Sequence, residues 1–92
     1  MIRSFGDKRT AALFEDQVVR DFRGIARCAK RKLEAVSAAS RISDLALPSS
    51  NRLEKLREDV EGFYSIRIND QWRVIFRWSG GDADEVRIMD YH

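Results

Sequence analysis

The sequence predicts an α+β fold in which helices pack on one face of a twisted antiparallel sheet. Two observations support this prediction. Apolar residues in the first half of the 92-residue chain recur at helical spacing, whereas the second half contains short runs in which apolar and polar residues alternate. Short turns separate these runs, and such turns join antiparallel strands. A chain of this length has room for one domain, residues 1–92.

Two helices are predicted in the first half of the chain. Asp7 is placed to cap a short helix that runs to about Glu15. A longer helix is predicted over residues 22–38, because an apolar stripe and a basic stripe lie on opposite sides of it. The apolar stripe consists of Phe22, Ile25, Ala26, Ala29, Leu33 and Val36, and the basic stripe of Arg23, Arg27, Lys30 and Arg31. A further turn over residues 43–47 ends at Pro48.

The sheet is predicted from residue 53 onward, with a weak additional strand at residues 1–5. Its strands cover residues 53–57, 63–68, 72–78 and 85–91. Alternation turns one set of side chains toward the helices: Tyr64, Ile66, Ile68, Trp72, Val74, Phe76, Trp78, Val86 and Ile88. The other face carries Ser65, Arg67, Arg73, Ile75, Arg77, Arg87, Met89 and Tyr91. We expect this second face to be an open, cationic surface.

Charge is unevenly distributed along the chain. Residues 1–46 contain ten Lys or Arg against six Asp or Glu, whereas residues 47–92 contain seven against nine. Six cations lie between Arg20 and Lys32, where only Asp21 opposes them. Such a field attracts polyanions, including nucleic acid. A merely solvated helix face is the plainer interpretation of the same residues.

The compartment is predicted from what the sequence lacks. No apolar run approaches the ~20 residues that span a bilayer, and no apolar stretch of the kind found in signal peptides follows the first five residues. The single cysteine, Cys28, has no partner for an internal disulfide. We therefore expect a cytoplasmic protein that makes no membrane contact.

The residues that remain for chemistry are cations, a tyrosine and a terminal histidine. The sequence has no paired Cys/His metal set, no glycine-rich phosphate loop and no nucleophile elbow. This inventory suits metal-free cleavage of RNA, in which arginine stabilises charge on the phosphate and a base takes the 2′-hydroxyl proton. His92 has a suitable intrinsic pKa, and Tyr91 is suited to orient a phosphate or stack on a base. A frayed terminal histidine and a solvated arginine surface are the alternatives.

Three segments resemble the HigB toxins of the RelE superfamily, which belong to bacterial toxin–antitoxin pairs. They are Asn51–Leu56, Gly62–Trp78 and Asp90–His92. The resemblance implies a RelE-like fold and ribosome-dependent cleavage of mRNA in the decoding site, which inhibits translation. It implies no metal and no cofactor, with a 2′,3′-cyclic phosphate and a 5′-hydroxyl as products. It also implies a HigA-like helix-turn-helix antitoxin that holds the toxin in check and brings it to operator DNA.

The resemblance also assigns residues. Arg73 matches the arginine that acts on the scissile phosphate, Asp90, Tyr91 and His92 match the terminal catalytic triplet, and Arg57 sits where a basic residue lines the site. We expect RNA contacts from a second set of cations: Arg23, Arg27, Lys30, Arg31, Lys55, Arg77 and Arg87. Two positions depart from the family pattern, since Glu58 replaces a glycine and Glu54 occupies a position that is histidine in some relatives. Glu54 either weakens RNA binding or serves as a base.

Two other functions fit parts of the sequence. ParE-type relatives share the fold but inhibit DNA gyrase by protein contact and cleave nothing. A non-catalytic RNA-binding module would need the basic helix but not His92. The terminal triplet and Arg73 favour the nuclease.

Overall fold

The computed structural model describes residues 1–56 and 62–90 and has the predicted α+β architecture. Its helices are α1 (Lys8–Phe14) and α2 (Ala26–Ala38), with three short 3-10 turns at Arg20–Phe22, Ile42–Ala46 and Ser49–Asn51. Its strands are β1 (Glu54–Lys55), β2 (Phe63–Arg67), β3 (Trp72–Ser79) and β4 (Asp82–Asp90). The strands form one antiparallel sheet in the order β1-β2-β3-β4.

The first helix begins where its cap was predicted. The Asp7 carboxylate accepts a hydrogen bond from the Thr10 backbone N–H at 2.8 Å, which satisfies one of the free donors of the first turn. Thr10 is fully buried, and its hydroxyl oxygen accepts a hydrogen bond from the Ile88 backbone N–H at 2.9 Å. This contact ties α1 to β4.

The second helix begins four residues later than predicted. Phe22 belongs to a separate 3-10 turn, and α2 starts only at Ala26. Gly24 lies between them, and glycine is a poor helix former because its backbone loses the most freedom on ordering. Phe22 nevertheless reaches the core, where it is fully buried and packs edge-on against Trp72 at 5.6 Å.

The predicted assignment of the sheet faces is confirmed for the described residues, and Tyr91 lies outside them. Facing strand positions share a side, and the register pairs Ile66 with Val74 and Val74 with Ile88. These side chains are fully buried, together with Leu33 and Val36 of α2. The helices therefore cover one face of the sheet, and the face with the arginines lies on the other side.

Strand β4 is longer than predicted because a β-bulge interrupts its alternation. Ile75 pairs with Arg87 but Arg77 pairs with Asp84, so β4 holds one extra residue between these pairs. Glu85 lies there with a φ of 53°. The extra residue allows both Ala83 and Val86 to face the core, where both are fully buried. Simple alternation cannot place both on one side.

The N-terminal residues protect the free edge of β4. Backbone hydrogen bonds join Arg3 to Ala83 and Gly6 to Val86, and the bridges at Ile2 and Phe5 run parallel to β4. The predicted strand at residues 1–5 is therefore present only as two isolated bridges. Covering the edge satisfies its backbone groups and removes a site for pairing with other chains.

The segment between α2 and β1 is held by polar side chains. Asn51, predicted to lie in a loop, is buried, and its amide donates to the carbonyl oxygens of Leu45 and Leu47. The backbone N–H groups of Arg41 and Ser40 donate to the Asp44 carboxylate and hold its pKa below the ordinary value.

Within residues 1–56 and 62–90, none of the helices has the length and apolar character required of a membrane span.

The Thr10 contact yields a stability prediction. Thr10→Val keeps the side-chain shape but leaves the buried N–H of Ile88 without an acceptor, which costs about 1–3 kcal/mol. Thr10→Ser retains the acceptor and should lose much less. Denaturant unfolding of both variants measures the difference. Equal stability of Thr10→Val and the parent protein would show that the hydroxyl does not support β4.

Candidate active site

Arg73 lies near the start of β3, on the sheet face that points away from the helices. Only 8% of the residue is exposed. Its Nε donates to the Ser65 hydroxyl at 3.0 Å and its Nη2 to the Arg52 carbonyl at 2.7 Å. Glu54 lies 3.2 Å from the same Nη2. The guanidinium is thus held in one orientation by neighbours on two sides.

The register of the sheet brings these neighbours together. β1 pairs Glu54 with Ser65, so the carboxylate and the hydroxyl share the face that carries Arg73. Arg52 precedes β1 in a left-handed backbone conformation, with φ 47°, where the chain leaves the last 3-10 turn. None of these three residues was predicted to hold Arg73. Alternation placed Ser65 on this face, but only the register reveals its contact.

The arginine face is less open than predicted. Ser65, Arg73 and Ile75 are all buried, at 1%, 8% and 7% exposure. A cavity of about 300 Å³ lies on this face beside Ile75. Among the described residues it is lined by Leu56, Phe63, Ile75, Arg87 and Met89. The surface is therefore a shaped apolar and cationic site, where an exposed cationic plane was expected.

The other cations of this face have different surroundings. Arg77 lies over the Phe63 ring at 5.4 Å and within 3.7 Å of Glu85. Arg67 faces Arg73 in the register and forms an ion pair with Asp70. Arg87 is half-buried, beside Ile75 in the register. Arg73, Arg77 and Arg87 therefore share one surface, as predicted.

Some of the predicted site residues do not join this surface. Lys55 pairs with Tyr64, which places it on the helix-facing side of β1, away from Arg73. Asp90 ends β4 opposite Trp72 and accepts a hydrogen bond from the Gln71 side chain at 3.0 Å. Arg57, Tyr91 and His92 lie outside the described residues, so their placement in the site stays a prediction.

The basic stripe predicted for the second helix is only partly available for nucleic acid, and Arg23 precedes α2. Arg23, Arg27 and Arg31 are exposed. Lys30 is instead engaged with α1: it forms an ion pair with Asp16 at 2.9 Å, donates to the Phe14 carbonyl and lies 4.9 Å from the Phe14 ring centre. The sequence pattern did not distinguish this structural lysine from the exposed arginines. We call Arg23, Arg27 and Arg31 the basic face.

Comparison with known proteins identifies the family of this chain. Residues 3–92 match the family described as the RelE-like toxin of the type II toxin-antitoxin system HigB. Toxin HigB-1 of Vibrio cholerae is 49% identical over 53 residues, which cover 58% of this chain and 56% of that protein. Endoribonuclease HigB of Proteus vulgaris is 34% identical over an alignment that covers 100% of both chains.

A solved structure supports the architecture. The YoeB dimer from Staphylococcus aureus matches with a TM-score of 0.60 at 20% identity, covering 99% of this chain and 94% of that one. At this identity the likeness concerns the fold alone. Together with the family match, it identifies a small RelE-like toxin fold. The chain belongs to the HigB family of RelE-like toxins of type II toxin–antitoxin systems.

The Glu54–Arg73 contact predicts how Glu54 affects RNA binding. Its carboxylate, on a side chain that is 60% exposed, would compete with a phosphate for the guanidinium. Glu54→Gln should therefore tighten binding of a non-cleavable RNA by about two- to fivefold, in line with the strength of an exposed ion pair. Glu15→Gln, which changes the net charge equally at an exposed helix end, is the control.

Binding and cleavage together separate the two roles considered for Glu54. Fluorescence anisotropy measures the affinity of each variant. Tighter binding confined to Glu54→Gln supports a competing counterion. Unchanged binding accompanied by a large loss of cleavage would contradict this and indicate that Glu54 acts as a base.

Proposed function

We propose that this protein is an endoribonuclease that cleaves mRNA on the ribosome and thereby inhibits translation. The observation that carries the proposal is the buried guanidinium of Arg73, fixed by Ser65 and the Arg52 carbonyl on a cationic sheet face. Similarity over the full length to a protein named as an endoribonuclease supports the same activity. A planar guanidinium that is held in place suits the stabilisation of a phosphate during phosphoryl chemistry.

The proposed reaction is attack by a 2′-hydroxyl oxygen on the adjacent phosphorus. A base removes the hydroxyl proton as the new P–O bond forms, and an acid protonates the 5′ oxygen as the old P–O bond breaks. The products are a 2′,3′-cyclic phosphate and a 5′-hydroxyl. Arg73 stabilises the charge that grows on the nonbridging oxygens. Because its neighbours already hold it in place, little reorganisation is needed at the transition state.

The acid and base are proposed from the end of the chain. β4 delivers Asp90 to the edge of the sheet, one strand position beyond Met89, which faces Arg73 in the register. Tyr91 and His92 follow directly. We assign proton transfer to His92 as the acid or base, with Asp90 supporting its imidazole, Tyr91 orienting the phosphate and Arg57 adding positive charge.

The proposed partners follow from the charge distribution and the family. The basic face suits contact with ribosomal RNA, because exposed guanidinium groups bind phosphates in a salt-dependent manner. A HigA-like helix-turn-helix antitoxin would restrain the toxin and bring it to operator DNA. We propose that the protein acts in the cytoplasm, where mRNA is translated.

Substitution of Arg73 tests the catalytic proposal. Arg73→Ala should lower cleavage of mRNA on programmed ribosomes by about 10²–10³-fold, because it removes one electrostatic interaction with the transition state. Arg73→Lys keeps the charge but lacks the planar set of donors. Its cleavage rate should therefore lie between those of Arg73→Ala and the parent protein. Co-sedimentation with ribosomes should change little, because the basic face is intact.

The stability of each Arg73 variant is measured alongside cleavage. Loss of Arg73 also leaves the Ser65 and Arg52 oxygens without their donor, so thermal melting must show that each variant is folded at the assay temperature. Folded Arg73→Ala with parental cleavage would contradict the proposal. A parent protein that leaves mRNA intact but inhibits gyrase supercoiling would instead establish the ParE-type function.

The basic face yields a separate prediction about ribosome binding. Replacement of Arg23, Arg27 and Arg31 by Gln should reduce the slope of log affinity against log salt by about two to three, one for each phosphate that the variant no longer binds. Lys30 is left unchanged because it supports α1. A control carrying Arg3, Lys8 and Arg41 replaced by Gln has the same net charge, and its slope should stay near the parental value. Equal slopes for the two triple variants would show that the basic face is merely solvated.

A further inference from the structure

A groove of about 350 Å³ lies in the helix layer, between the turn that follows α1 and the start of α2. Its apolar lining consists of Leu13, Val18, Val19 and Ala26. Val18 is the most exposed of these, with 92% of the residue open to solvent. A single exposed valine is ordinary on a protein surface, but a valine that lines a concave apolar groove is available to contact a partner.

The turn that forms one wall of this groove is fixed by contacts with both helices. Lys30 of α2 forms an ion pair with Asp16 at 2.9 Å and donates to the Phe14 carbonyl oxygen. The Gln17 backbone N–H donates to the Ala12 carbonyl oxygen at 3.0 Å. A groove whose walls are held in this way binds a partner at a low cost in ordering.

Two arginines give the groove a positive charge. Arg23 and Arg27 line it and are exposed. Within residues 1–56 and 62–90, no carboxylate forms an ion pair with either guanidinium, whereas the Lys30 charge is matched by Asp16. A polypeptide segment with carboxylates beside apolar side chains complements such a surface. An RNA backbone would bind the arginines but would leave the apolar lining unfilled.

We propose that this groove docks an acidic segment of the antitoxin, and that the docked segment occupies two of the three arginines of the basic face. A toxin of a type II toxin–antitoxin system has an antitoxin as its partner. The inference rests on the proposed function in one respect, because it takes the basic face as the contact with ribosomal RNA. The antitoxin segment and the RNA then compete for Arg23 and Arg27. Arg31 lies outside the groove lining and serves RNA alone.

Val18→Ser tests the protein contact separately from the RNA contact. The probe is the purified product of the reading frame that adjoins the toxin's own, chosen because its co-expression restores growth. Loss of the apolar side chain should weaken antitoxin binding by about tenfold. Ribosome binding should stay parental, because no cation is removed. Leu47→Ser, at a leucine that is 76% exposed and lines a different cavity, is the matched control and should keep the parental affinity for both partners.

The arginines provide the complementary test. Replacement of Arg23 and Arg27 by Gln should weaken binding of the antitoxin and of ribosomes and should lower the salt dependence of both. Arg31→Gln should weaken ribosome binding only. Biolayer interferometry measures the antitoxin affinities, and co-sedimentation measures ribosome binding. Because all the substituted positions are exposed, the melting temperatures should stay parental. Added antitoxin should displace the parent toxin from ribosomes.

The outcomes separate this inference from the proposed function. Parental antitoxin affinity in both Val18→Ser and the double arginine variant would overturn the docking site, and is the result expected if the groove region contacts RNA alone. A ternary complex of ribosome, toxin and antitoxin would overturn the competition. Weakened antitoxin binding together with parental ribosome binding in every arginine variant would support the docking site and contradict the proposed contact with ribosomal RNA.

Discussion

The register of β3 against its two neighbours is the constraint on which the rest of the structure depends. Val74 and Phe76 are fully buried beneath the helices, so the residues between and beside them must face the other way. A slip of one residue would expose both apolar side chains and bury Arg73 and Arg77 against α2. The same hydrophobic contacts that stabilise the core therefore present the arginines as one surface.

The burial of Arg73 is tolerated because its donors have partners. A charged group removed from water without compensation is costly, whereas hydrogen bonds to a hydroxyl and a carbonyl, together with an ion pair to a carboxylate, offset much of that cost. The Arg52 and Glu54 contacts come from the segment before β2, so the short strand β1 has a role beyond closing the sheet. It supplies neighbours that orient the guanidinium. Such preorganisation is the main way in which proteins stabilise charge at a transition state.

Much of the fold could be predicted because local signals agreed with the final structure. Asp7 caps α1, and alternation placed Ile66, Val74 and Ile88 correctly. The predictions failed where tertiary structure overrides the local sequence pattern. Glu85 forms a bulge that breaks the alternation on which the start of β4 was predicted. Phe22 has the helical spacing of α2, yet the chain turns at Gly24 and delivers it to the core from a separate turn.

The candidate site was predicted less completely, because its geometry depends on contacts between strands. Sequence pattern placed Arg73 on the correct face but gave no means of knowing that Ser65 and the Arg52 carbonyl would hold it. Pattern likewise treated Lys30 as equivalent to Arg27, although Lys30 is committed to Asp16 and Phe14. Composition alone cannot distinguish a cation that binds a partner from one that supports the fold.

We propose above all that the fixed arginine serves cleavage of RNA by the RNA's own 2′-hydroxyl. The most direct measurement is analysis of the RNA ends formed on ribosomes programmed with either an all-ribose message or one that carries a single 2′-deoxynucleotide at the mapped cleavage position. We expect a 2′,3′-cyclic phosphate and a 5′-hydroxyl from the first message, and no cleavage at the substituted position in the second. Cleavage that persists beside the deoxynucleotide, or that leaves a 5′-phosphate, would contradict it.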